Sequence, residues 1–241
     1  MKNFKKFLLI MAMTMALGTS AFAASGFEFL LNVPFGINWG IPNNVAKEND
    51  MTGYLGFDVG VDAQIGYMIS VKDGFGVSVL AELGYSYDVY QLNRKNLYGL
   101  DMTAMYHSFK VGVLPKFNVG VGKGAIAIGI GGGVKIPISG RLGMSYSAEN
   151  TSGSSSINEI QTIFDIKDEL KRKDITDMFS PSVIGYMKVT FDYYLFFTDN
   201  IGMNFGLYLG GDFAPKQKGT ELGLNAFDFG LQLGFRFGPK A

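Results

Sequence analysis

An all-β fold, an eight-stranded antiparallel up-and-down transmembrane β-barrel, is predicted by three observations in this sequence. Eight segments alternate between large apolar residues and small or polar ones, their links alternate between tight turns and long loops, and outward aromatics collect in two bands. In Gly53–Ile69, GYLGFDVGVDAQIGYMI, the odd positions from Leu55 to Ile69 are all apolar or amphipathic, while Asp58, Asp62 and Gln64 share the even positions with glycines. Successive side chains of a strand point to opposite faces, so this segment has one greasy face and one face of glycine, acid and amide.

The other seven segments repeat the pattern. Phe27–Trp39 sets Phe29, Leu31, Val33, Phe35 and Ile37 against Glu28, Asn32 and Asn38. Phe75–Val89 sets Val77, Val79, Leu83, Tyr85 and Tyr87 against Ser78, Glu82, Ser86 and Asp88, and Thr103–Val119 sets Phe109, Val111, Val113 and Phe117 against Lys110, Lys116 and Asn118. In Ala125–Ser139 the isoleucines from Ile126 to Ile138 oppose Gly129, Gly131, Gly133 and Lys135. Val183–Phe197, Ile201–Phe213 and Leu224–Phe237 complete the set, the last placing Phe227, Phe229, Leu231, Leu233, Phe235 and Phe237 on one face. An even number of strands is what a closed antiparallel barrel needs. Pro34, Pro115 and Pro137 fall inside these segments and predict bulges or strand ends, because a closed barrel has no edge to excuse a missing donor.

The links Ser70–Gly74, Gly120–Gly124 and Thr198–Asn200 are tight, whereas Gly40–Thr52, Tyr90–Met102, Gly140–Ser182 and Ala214–Gly223 are long. Short turns on one rim and long loops on the other are the signature of a barrel in an outer membrane, with the short rim and both termini in the periplasm. Lipid is the expected solvent of the greasy face. Six large residues of the last strand turned inward would overfill an eight-stranded barrel, and an exterior of glycines would be poorly solvated. Phe27, Phe29, Tyr67, Phe75, Phe117, Phe197, Phe235 and Phe237 lie toward the short-turn ends and Trp39, Tyr85, Tyr87 and Phe213 toward the loop ends, as interfacial girdles do.

Residues 1–23 read as a signal peptide, with Lys2, Lys5 and Lys6 before the apolar run Phe7–Leu17 and a small-x-small triplet ending at Ala23, which leaves 24–241 as the barrel. Three of the 21 basic residues lie in that leader, so 18 face 21 acidic ones in the remainder, a formal charge of −3 without the basic patch that nucleic acid requires. No cysteine is present, which excludes disulfides and thiol chemistry, and no histidine or carboxylate cluster suggests a metal or other cofactor.

With these elements in place, the chain resembles the small eight-stranded outer-membrane barrels of the OmpA-barrel and OmpX type over essentially its whole mature length, by pattern and not by a diagnostic motif. The closing DFGLQLGFRF is similar to the signal by which the barrel assembly machinery recognises last strands, with Asp228, Gly230, Leu233 and Phe235 in the matching places; it departs from that signal in ending on Gly238-Pro239-Lys240-Ala241 and not on an aromatic. The resemblance implies residence in the outer membrane of a diderm bacterium, with outer-membrane lipid and the assembly machinery as partners.

Inside the barrel, pairing Ile69 with Phe75 puts Asp62 across from Glu82, and pairing Gly120 with Ala125 puts Lys110 opposite Lys135. Glu28 and Arg236 should meet where the first and last strands close. Such charges serve either as a salt-bridged plug or as the lining of a narrow path, for which inward glycines would leave space. In the longest loop, Ile157, Ile160, Ile163 and Phe164 recur at helical spacing, which predicts a short amphipathic helix that caps the mouth, lies on the outer leaflet or meets an extracellular partner. The single histidine, His107, adjoins Ser108; the lipid A deacylases, which are barrels of similar size, separate their His and Ser by one residue so that both share a face, and adjacent residues on a strand do not. The expected role is non-enzymatic, a barrel displaying surface loops for adhesion, antigenic display or envelope integrity, with a small porin or channel for ions or solutes as the alternative.

Overall fold

A computed structural model describes residues 25–94, 100–147 and 162–240. The staves are β1 (Gly26–Pro42), β2 (Met51–Lys72), β3 (Phe75–Arg94), β4 (Leu100–Val121) and β5 (Gly124–Ser147), followed, after β6 (Thr162–Lys171) and β7 (Phe179–Ser180), by β8 (Ile184–Phe196), β9 (Ile201–Phe213) and, after β10 (Lys216–Gln217), β11 (Leu224–Phe237). Antiparallel pairing runs β1-β2-β3-β4-β5-β8-β9-β11 and returns to β1, so eight strands form a closed ring without an edge.

The ladder fixes the barrel's shape. Starting at Phe29 and stepping through Ile65, Ala81, Val113, Gly132, Met187, Gly211 and Phe227 leads back to β1 at Trp39, ten residues beyond the start. With eight strands, that stagger tilts each by roughly 40° and gives a backbone radius of about 8 Å, a lumen that side chains can fill.

Alternation in sequence becomes alternation in exposure. Leu31, Val33, Phe35, Ile37 and Trp39 are 40% to 55% exposed, while Leu30, Asn32 and Asn38 between them are buried at 0% to 1%. The same division runs round the ring, with Val113 at 60%, Phe117 at 50% and Leu231 at 42% exposed against Lys116 and Gln232 at 0%. Forty-odd large hydrophobics facing outward from a ring whose charges are enclosed is the inverse of a water-soluble barrel. Outward aromatics pair across strands at both ends, Phe29 with Phe237 at 6.0 Å, and Phe57 with Tyr87 at 6.0 Å.

Two-residue turns, Asp73-Gly74 and Gly122-Lys123, join β2 to β3 and β4 to β5, each with its glycine at positive φ (+73° and +57°), the conformation a tight hairpin needs. With residues 197–200 between β8 and β9, they form one rim, and the start of β1 and end of β11 lie on the same rim.

Several expectations need correction. Ile69 pairs with Val77, not Phe75, because β2 runs on to Lys72 through a bulge and the turn is only two residues; Asp62 therefore faces Gly84, and it is Gln64 that faces Glu82. Pro137 sits at a bulge, where pairing shifts between His107 and Ser108, but at Pro34 and Pro115 the ladder to one neighbour lapses and resumes in unchanged register. Residues 140–182 are not one loop. The upper part of β5 continues to Ser147, leaving β8 at Lys135 and pairing with β6 from Ser139. Ile163 and Phe164 therefore lie in a strand and not in a helix; Ile157 and Ile160 fall outside the described residues. Among the described residues, the helices of the long-loop rim are α1 (Asn44–Glu48), capped by Asn43, whose side chain accepts from the Ala46 amide at 2.9 Å, and α2 (Arg172–Met178).

Candidate functional site

Every charge in the lumen arrives there by strand parity, and the tilt of the strands decides which ones meet. Nearest the short-turn rim, Arg236 of β11 holds Glu28 of β1 at 2.9 Å, with its guanidinium 4.3 Å from the centre of the Tyr194 ring. Ser78 donates to the second oxygen of Glu28. An apolar slab of Leu30, Leu80, Ala125, Ala127 and Tyr194 packs beside this pair. Farther along, Lys116 of β4 bonds Asp192 of β8 at 2.9 Å and the Tyr194 hydroxyl at 3.2 Å, while the Gln232 amide donates to the other Asp192 oxygen.

The largest cluster lies above these. Lys110 reaches Asp62 at 2.5 Å and Glu82 at 3.4 Å, and Lys188 reaches Glu82 at 2.5 Å and Asp62 at 3.5 Å, a square of two cations and two anions. Gln64 and Tyr186 each donate to Glu82 at 2.9 Å. All four charged side chains are less than 10% exposed. In the outermost layer, Lys135 bridges Asp88 at 2.8 Å and Asp212 at 2.6 Å, Tyr90 donates to Asp212, and Tyr208 donates to Asp58.

The structure thus brings Asp62, Glu82 and Lys110 into one cluster and Glu28 and Arg236 into another. Lys135 faces Lys110 across the β4–β5 ladder, as the turn count gives, but serves different acids. Lys188, Asp88, Asp192, Asp212 and Lys116 belong to the network too. Their inward parity was readable, but a bond such as Lys188–Glu82 spans two intervening strands and depends on the stagger of the whole ring. The inward glycines do not leave a channel where they were expected to make room. A Cβ on Gly36 or Gly230 would strike the Tyr208 ring or hydroxyl, and one on Gly112 would strike Tyr186, so these glycines admit tyrosines that fill the lumen. A void of about 40 Å³ lies between the two upper layers, room for about three waters.

Beyond Lys135 the chemistry changes. Tyr90, Tyr106, Leu170, Ile175, Ile184 and Ala226 form a small hydrophobic core over the mouth, flanked by Ala104, Leu142, Met178, Phe179 and Leu224. Arg172, at the start of α2, donates to the carbonyls of Pro137 at 3.1 Å and Ser182 at 2.6 Å, tying the helix to the β5 bulge. Asn43 donates to the Glu221 carbonyl at 2.8 Å and joins two loops. Ile175, 1% exposed, is the pin of this cap. Replacing it with aspartate is expected to loosen the cap and expose the lysines and arginine at 171–173 to trypsin while the barrel keeps its heat-dependent gel migration; unchanged cleavage would show that the cap does not rest on this contact.

His107 and Ser108 lie on opposite faces. His107 points outward, with its Nδ1 2.5 Å from the Tyr85 hydroxyl and its ring 4.8 Å from that of Tyr87, while Ser108 is fully buried in the lumen. Among the described residues, no cluster of His, Cys, Asp or Glu has the arrangement of a metal site.

No protein-family model matches this chain, and no curated protein matches it. Among solved structures it is similar in fold to Neisserial surface protein A (10% identity, 87% of this chain and 96% of that one, TM-score 0.36) and to the outer membrane protein OprG from Pseudomonas aeruginosa (11%, 91% and 99%, TM-score 0.40). A similar match is the outer membrane protease OmpT from Escherichia coli (5%, 88% and 96%, TM-score 0.39). At these scores the likeness adds nothing to the closed ring itself. That ring of eight strands, apolar outside and polar within, is the architecture of a small outer-membrane barrel of the OmpA-barrel and OmpX type.

Proposed function

We propose that this chain is a non-enzymatic anchor in the outer membrane, whose plugged barrel holds the cap and long loops at the cell surface, with the short-turn rim and both termini in the periplasm. The observation that carries this reading is the closed lumen. Stacked ion-pair layers and inward tyrosines occupy it from Glu28 to Asp212, with a void of about 40 Å³ between the two upper layers. The last strand, through Asp228, Gly230, Leu233 and Phe235, is the segment by which the assembly machinery would recognise it. Adhesion, antigenic display and envelope integrity are the roles open to the displayed surface, and an extracellular partner would meet it there.

The second reading, a small conducting path, is favoured by the lining of that void, in which Asp58, Asp62, Asp88, Asp212 and Asp228 outnumber Lys110, Lys135 and Lys188. Planar-bilayer recording of the refolded protein separates the two. Silence from protein shown to be folded is the expected result. Steady unitary currents, selective for cations as the acidic excess requires, would overturn the plug.

A further inference from the structure

We propose that the mouth of the barrel holds a binding site for a small amphiphile, a hydrocarbon chain bearing one hydrogen-bonding oxygen. A cavity of about 320 Å³ opens between the hydrophobic cap and the strand extensions, walled by Leu92, Met102, Ala104, Leu142, Met178 and Leu224. It is about eight times the lumen void, and roughly twice the ~150 Å³ engineered cavity that stays dry and takes up benzene. Its lining carries no charged side chain among the described residues; Thr103, Gln217, Tyr90 and Tyr106 are its polar members.

The two tyrosines differ. Tyr90 spends its hydroxyl on Asp212, at the boundary with the uppermost ion-pair layer. Tyr106, 8% exposed, makes no hydrogen bond through its hydroxyl among the described residues, although it forms part of both the cap core and the cavity wall. In the cavity wall the Tyr106 hydroxyl is placed to bond a ligand oxygen, and the surrounding Leu, Met and Ala supply the surface for its chain. The charged floor formed by Lys135, Asp88 and Asp212 stops an apolar chain from going deeper, so the site retains its ligand and does not pass it through the barrel. A free fatty acid and a lipid's esterified chain offer the same chemistry.

Photolabelling of the full-length protein in phospholipid vesicles tests this. One arm uses a diazirine-bearing dodecanoic acid, the other the same chain esterified in a phosphatidylethanolamine. Label at Leu142, Met178 or Leu224, displaced by excess unlabelled dodecanoic acid, is the expected result; the arm that labels more strongly identifies the source. Ala104 lies on the same face as Tyr106 and in the cavity wall, and Ala104→Phe should cut labelling at the mouth by about tenfold with heat-dependent migration intact, with Leu142→Trp serving the same purpose if the first variant does not fold. Tyr106→Phe should weaken competition by the acid but not by dodecane. Label confined to outward residues such as Phe109 and Val113, or label at the mouth that both filling variants leave unchanged, would overturn the site.

Discussion

Lys110→Met is expected to destabilise the barrel by about 3–5 kcal/mol, because it leaves two buried carboxylates, Asp62 and Glu82, to share the single ammonium of Lys188. The loss comes from the unpaired anion and not from the missing attraction, so the charge-balanced double variant Lys110→Met/Asp62→Asn should recover most of it. Urea titration in detergent or lipid, read by heat-dependent migration, measures both. A single variant within about 0.5 kcal/mol of the parent, the range of ordinary surface substitutions, would mean that water reaches the cluster and that the lumen is wider than its side chains indicate.

The architecture was legible in the sequence because strand parity is a local property. Each inward charge could be named from its own segment, and turn length assigned the two rims. Register was less accessible. A two-residue turn after Lys72, in place of a link over Ser70–Gly74, together with a bulge near Ser70 moved Asp62 from Glu82 to Gly84, while the Gly122-Lys123 turn, without such a bulge, placed Lys110 opposite Lys135 as counted. Contacts across the lumen were not readable at all. Lys188 meets Glu82 only because the ring closes with a ten-residue stagger, a quantity that exists only after every hairpin has its register. The cap was misread for a different reason. Apolar residues spaced to suit a helix around Ile163 and Phe164 instead extend the sheet, because the overhanging part of β5 leaves β8 at Lys135 and offers an unpaired edge that β6 fills. The helix forms one step later, where Arg172 can reach the carbonyls of Pro137 and Ser182.

Val113→Arg should cost about 2–4 kcal/mol in a bilayer, the penalty for a guanidinium near the midplane of a transmembrane barrel. Val113 is 60% exposed and points away from the lumen, midway along β4 between Phe117 of one aromatic band and His107 of the other. Its ladder neighbours, Ala81 and Gly132, offer no carboxylate to pair with the new charge. In a water-soluble barrel the same substitution would be nearly neutral, since an exposed valine replaced by arginine only improves solvation. The experiment therefore tests which side of the wall faces lipid, independently of any contact inside. A companion substitution nearer an interface, such as Tyr85→Arg in the band that contains His107, should cost about 0–1 kcal/mol, because an arginine there reaches the headgroups. The depth dependence is the decisive quantity. Equal costs at both positions would point to lost packing, whereas a steep fall from Val113 to Tyr85 requires a hydrocarbon slab around the barrel.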